Sequence, residues 1–201
     1  KPNPAVLYLL NTPGMNVQIR SNGFSYDVYS PHTVDMPVMR TIHRIDFDLA
    51  GCNPGREIVA AGKTSGYLNY YTKGTPEEGV NFVHSYQSVT FRNIYRGIDL
   101  EFLTDTASGF KYNFIVHPGS DLSAIRIKIK GPAIELSDKG NLLLITPVGT
   151  IEERIPESYY SVDGQRSVIH AVFTRTGPNV FGFKTCGLFP GASTLVIDPV
   201  P

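Results

Sequence analysis

Between Ser85 and Gly131 the chain alternates apolar with polar residues in three successive runs, and a strict period of two leaves few folds open. Ile98, Leu100 and Phe102 are interleaved with Asp99 and Glu101, as in a strand with one face in the core and the other in water. Phe110, Tyr112, Phe114 and Val116 resume the pattern after the turn-rich TDTASG, so the two runs predict a β-hairpin with a loop of several residues. Pro118-Gly119 ends the second strand. Ser120-Asp121-Leu122-Ser123 can then close a single helical turn, because Ser and Asp side chains accept from its unpaired N–H groups. The third run places Ile125, Ile127 and Ile129 on one face and Arg126, Lys128 and Lys130 on the other, which reads as a solvated face.

The remainder carries the same texture. Met15, Val17 and Ile19, then Phe24, Tyr26 and Val28, flank Asn22-Gly23, which predicts a tight hairpin with a type I′ turn. Residues 30–40 form a loop broken by two prolines, and His43, Ile45, Phe47 and Leu49 mark a strand that stops near Gly51-Cys52-Asn53-Pro54-Gly55. Residues 56–84 are the least periodic tract and contain Tyr67, Tyr70 and Tyr71, a natural place for surface function. Beyond residue 132, a hairpin joins Ile134–Leu136 to Leu142–Ile145, a short strand follows Val148, and Val168–Arg175 pairs with Val180–Lys184. With nineteen glycines, fifteen prolines and no long amphipathic helix, the expectation is all-β. The architecture expected is a mostly antiparallel β-sandwich of about a dozen short strands, with at most one or two short helical turns. It forms a single domain over residues 1–201, divisible into sub-lobes 1–84 and 85–201.

Eighteen basic and eighteen acidic residues give a formal net charge of zero, which argues against nucleic acid or an acidic membrane surface as a partner. No run approaches the roughly 18 apolar residues of a membrane span, so no membrane insertion is expected. The absence of an initial Met and the strand-like Leu195–Pro199 suggest a piece of a larger protein. Cys52 and Cys186 leave two alternatives open. One is a disulfide, worth about 5 kcal/mol in the chain-entropy picture, and the other is two buried free thiols.

Three segments carry a family resemblance: Asn93–Leu100 (NIYRGIDL), Phe110–Phe114 with Val116-His117-Pro118-Gly119, and Leu195–Pro199. Together with Ala50–Pro54 and Asn69-Tyr70-Tyr71, they resemble an uncharacterised domain near the N terminus of large bacterial secreted or surface proteins. In such proteins it precedes β-propeller-type (SBBP) repeats or adhesin-like modules. Relatives of this kind occur in Bacteroidetes-type bacteria, often exported by the type IX system. The resemblance implies an extracellular or cell-surface location and neighbouring modules of the same polypeptide as partners. It implies no catalytic residues. Cys52 stands where the family more often has Ala, and the usual polar opening motif is absent.

Candidate sites are few. Asp99 and Glu101 share a strand face about 7 Å apart, a separation that glycosidases use, but also that of two ordinary surface charges. Asp99 is also placed to bond turn N–H groups near Arg96-Gly97. His32, His43, His84, His117 and His170 stand singly without metal-ligand spacing, and His43 falls on an apolar strand face. Asp35, Asp46 and Asp48 are the calcium candidates, although no calcium-loop motif exists. No Gly-rich loop precedes a helix, and no cofactor is expected. The candidate binding residues are Tyr67, Tyr70, Tyr71, Tyr159 and Tyr160, as a stacking platform for a glycan or a partner protein. The function expected is a non-enzymatic structural or adhesive module, with a carbohydrate-binding or accessory role as the alternative.

Overall fold

In the computed structural model, residues 5–29, 41–71, 76–105, 109–154 and 157–201 are described. They form eighteen strands and one short 3-10 turn. The first half contains β1 (Val6–Thr12), β2 (Met15–Arg20), β3 (Gly23–Tyr29), β4 (Ile42–Leu49), β5 (Glu57–Ala61), β6 (Tyr67–Tyr70), β7 (Val80–His84), β8 (Ser88–Tyr95) and β9 (Ile98–Asp105). The second contains β10 (Gly109–Val116), β11 (Ile127–Lys130), β12 (Ala133–Leu136), β13 (Leu142–Thr146), β14 (Gly149–Glu153), β15 (Glu157–Val162), β16 (Gln165–Gly177), β17 (Val180–Thr185) and β18 (Thr194–Asp198). Among the described residues no helix is long and apolar enough to cross a membrane.

Thirteen strands join in the order β1-β2-β3-β4-β11-β17-β16-β15-β18-β10-β9-β8-β5, each pairing antiparallel. The strand that makes this two layers is β16. Its first half pairs with β15 and its second half, from Ala171, pairs with β17, so one long strand passes from one layer to the other. The sheet thereby curls into a half-barrel whose two ends face each other. Phe24 on β3 packs against Phe102 on β9 at 5.5 Å and Tyr112 on β10 at 4.9 Å between ring centres. Such aromatic pairs add about 0.5–1.5 kcal/mol each beyond the area they bury. The fold is therefore an all-β antiparallel sandwich, and its core runs through both halves of the sequence.

The alternating runs place their apolar members inward: Ile98, Leu100, Phe102, Phe110, Tyr112 and Phe114 are all buried. The short turn at Leu122–Ala124 is capped by Asp121, whose carboxylate accepts from the Ser123 N–H at 2.9 Å. The Asn22-Gly23 hairpin forms, but for a different reason from the one its sequence suggests. Gly23 is the first residue of β3, opposite Arg20, and a Cβ there would stand 1.9 Å from the Phe47 carbonyl oxygen. Glycine is required by the close approach of β4, rather than by a type I′ turn. The proline-broken loop 30–40 and residues 106–108 of the β9–β10 connection lie outside the described residues. Among the described residues there are also two small sheets, β12-β13-β14 and the hairpin β6-β7.

Candidate functional site

The NIYRGIDL segment folds into a turn held by side-chain hydrogen bonds. Asn93 takes a left-handed conformation (φ 53°) and its side-chain oxygen accepts from the Gly97 N–H at 3.0 Å. One Asp99 oxygen accepts from the Asn93 N–H at 2.7 Å, and the other meets His117 Nε2 at 2.9 Å. The Ser120 hydroxyl donates to the Gly97 carbonyl at 2.8 Å, so closely that a Cβ on Gly97 would sit 2.1 Å from it. Asp99 therefore anchors a turn at Asn93, not at Arg96-Gly97. Both its oxygens are engaged in holding this turn.

Asp46 and Asp48 lie on the outer face of β4 within a lattice of opposite charges. Arg20 meets Asp48 at 2.8 Å, Lys130 meets Asp48 at 2.7 Å, and Arg44 meets Asp46 at 2.9 Å and Asp27 at 3.2 Å. Partial burial pushes the Asp48 carboxyl up, but Lys130 and Arg20 outweigh it and hold the group below its ordinary value. These carboxylates already have cations, so the calcium reading fails at Asp46 and Asp48, while Asp35 and His32 lie outside the described residues. Among the described residues no cluster of His, Cys, Asp or Glu is arranged to hold a metal. Cys52 and Cys186 are both free thiols, Cys52 half-buried and Cys186 exposed rather than buried.

Inside the sandwich stands one carboxylate that the alternation patterns do not announce. Glu153 at the end of β14 is 1% exposed and accepts from the Tyr26 hydroxyl at 2.9 Å and the Tyr112 hydroxyl at 3.2 Å. Burial raises its carboxyl to about 7, against the two tyrosine hydrogen bonds, which favour the charged form. The same burial, together with Glu153, pushes both tyrosines well above their ordinary range. The trio joins both layers to the small β12–β14 sheet.

The hairpin β6–β7 is built the other way. Every residue of β6 is exposed, and Tyr71 and Phe82 are 68% and 66% exposed. On its outer face Tyr67 packs on Phe82 at 4.9 Å, and the Tyr71 hydroxyl donates to Asn81 Oδ1 at 2.8 Å. Phe82 has φ 58°, which a bulky residue rarely adopts, and its N–H is held by Asn69 Oδ1 at 2.9 Å. On its other face Leu68, Tyr70, Val80 and Val83 overhang a groove of about 840 Å³ that reaches β1 and the core residues Phe102 and Phe110. The volume is within the roughly 300–1,000 Å³ of ordinary ligand sites.

The five tyrosines thus do not share one platform. Tyr67 and Tyr71 belong to the outer face of the hairpin, and Tyr70 faces the groove. On β15, Tyr159 carries the Arg166 guanidinium over its ring at 4.5 Å, while Tyr160 packs near Phe189 at 6.5 Å. Sequence reasoning missed Phe82, Leu68 and the exposed Leu7 and Leu9 of β1. The available signal was the run VLYLLNT, apolar and uncharged, together with Val80 and Phe82 two apart in an otherwise aperiodic tract.

Neither a curated protein sequence nor a solved structure matches this chain. Residues 2–200 match a family described as a domain of unknown function, DUF7948, and with nearly its whole length covered the chain belongs to that family.

Proposed function

We propose that this domain is a non-enzymatic structural or adhesive module of a large, extracellular bacterial surface protein, and that it makes contact through the β6–β7 hairpin. The observation that carries this reading is the hairpin itself, which exposes Tyr67, Tyr71 and Phe82 and keeps Phe82 at an unfavourable backbone angle. Two carboxylates that could have drawn a hydrolytic reading have structural surroundings: Asp99 anchors a turn and Glu153 is sealed beneath two tyrosines. Beads coated with the 201-residue chain should be retained on surfaces bearing protein or polysaccharide, and Tyr71→Ser with Phe82→Ser should release them without lowering the melting temperature. Retention unaffected by both substitutions, or cleavage products detected by mass spectrometry, would overturn the proposal.

Carbohydrate binding is the second reading, favoured by the two flat outer rings Tyr67 and Tyr71 flanking Asn69 and Asn81. A ligand bound to the folded state raises its stability by about 2.7 kcal/mol at a hundredfold excess over Kd. A saccharide-specific rise in melting temperature that disappears in Tyr71→Ala would move the assignment to a glycan-binding module.

A further inference from the structure

The thirteen-stranded series ends in two edge strands, and they are protected differently. Edge strands offer unpaired N–H and C=O groups to any passing strand, and proteins commonly guard them with charge, brevity or bulges. β5 is five residues long and carries Glu57, paired with Arg92 on β8 at 3.3 Å. β1 is seven residues long, carries no charge, and on its outer side has no ladder partner among the described residues. A bulge at Leu7 shifts the register at its start, but Tyr8–Thr12 keep regular pairing with β2. Its outward residues Leu7 and Leu9 are 43% and 56% exposed, so the unguarded edge also presents apolar side chains.

This edge borders the groove beneath the hairpin. β1 contributes Val6 through Asn11 to the lining, facing Leu68, Tyr70, Val80 and Val83 across the gap. Among the described residues no Lys, Arg, Asp or Glu lines it, although the outer face of β2–β4 is dense with ion pairs. A charged occupant would lose its hydration there without a counter-charge. A purely aliphatic occupant would cover the side chains and leave the main-chain groups of β1 unpaired. An extended polypeptide meets both demands, because its backbone pairs with the edge and its alternate side chains enter the apolar gap.

We infer that the groove between β1 and the β6–β7 hairpin takes an extended, uncharged, apolar strand from a partner protein, added as a further strand on the β1 edge. This deepens the contact reading above and rests on it. The partner segment alternates: apolar residues at every second position enter the groove toward Leu68 and Val83, and the intervening ones face water. Ordering such a segment offsets part of the gain, so an isolated peptide binds more weakly than the same segment held in a folded partner.

The test selects random seven-residue peptides displayed on phage against the 201-residue chain, then measures the enriched peptide by fluorescence anisotropy. Enrichment of uncharged sequences with apolar residues two apart is expected. Methylating alternate backbone nitrogens of that peptide should weaken binding at least tenfold, since it removes pairing donors and keeps every side chain. Leu9→Lys, an exposed substitution checked by an unchanged melting temperature, should weaken binding by a similar factor. Three results would overturn the inference: no enrichment, enrichment of charged or proline-rich sequences, or equal binding of the methylated peptide. Concentration-dependent dimerisation abolished by Leu9→Lys would also overturn it, by making a second copy the occupant. If beads still adhere through Tyr71 and Phe82 while no peptide is enriched, the strand inference fails and the module reading stands. Loss of both defeats both.

Discussion

Asn93 and Phe82 occupy nearly the same left-handed backbone conformation, at φ 53° and 58°, in opposite surroundings. Asn tolerates this region well. At Asn93 the turn around it converts the unusual angle into hydrogen bonds with Gly97, Asp99 and, through the Asn93 carbonyl, the Asn53 side chain. Phe has no such compensation. Its ring lies in solvent against Tyr67, and the angle is held by one hydrogen bond from its N–H to Asn69. The first region uses a special backbone state to lock β8, β9 and the turn after β10 together. The second leaves an aromatic ring in solvent at a strained backbone angle, and the proposed contact role rests on that observation.

The comparison can be broken most easily at Gly97. Gly97→Ala forces a Cβ to 2.1 Å from the Ser120 hydroxyl at φ +70°, and should destabilise by about 3–4 kcal/mol, a fall of roughly 6–16 °C in melting temperature. Adding Ser120→Ala should recover only part of this, because the backbone strain stays. Next in size is an effect that belongs to the core and to neither region. Glu153 titrates near 7 in the folded state against an ordinary 4.5, so between those values the native protein holds a proton that the unfolded chain has lost. Stability is then greatest below about pH 4.5 as far as this group is concerned, falls as pH rises, and levels off above 7 after losing about 3 kcal/mol. Glu153→Gln should flatten that slope in chemical denaturation across pH 5–8, whereas hairpin variants should keep it.

Asn93→Ala removes the acceptor for the Gly97 N–H and the tolerance for positive φ, and should cost about 2 kcal/mol by urea denaturation. Phe82→Asn is the sharpest contrast. Relief of the backbone angle offsets the lost Tyr67 contact, so the stability change should stay below about 1 kcal/mol while adhesion falls. A loss at Phe82 as large as that at Asn93 would show that the hairpin supports the fold.

Much of the fold was legible because a period of two survives wherever one face is buried. Ile98, Leu100 and Phe102, and again Phe24 and Tyr26 or Ile45 and Phe47, declare their inward faces without tertiary information. Pairing between distant strands was not legible. Nothing local in Val168–Arg175 says that β16 continues back to Gln165 and serves both layers. Tyr112 reads as another alternating apolar residue, and nothing local marks Glu153 as its partner until topology brings them together. The candidate site was half legible for a related reason. Tyr67, Tyr70 and Tyr71 mark the right tract, but which faces the groove depends on the register of β6 with β7, and that register slips at a bulge between Leu68 and Tyr70. Tyr159 and Tyr160 stand apart on β15, with Arg166 over the first ring and Phe189 near the second.

The most direct measurement is native-state amide hydrogen exchange on the 201-residue chain, read separately for β8–β9 and for β6–β7. The account predicts that Phe91, Leu100 and Phe102 exchange only with global unfolding, while Leu68, Val80 and Val83 exchange at least a hundredfold faster through local opening of the hairpin. Equal protection in the two regions would contradict it, because the hairpin would then belong to the cooperative core and its exposed rings would need another explanation.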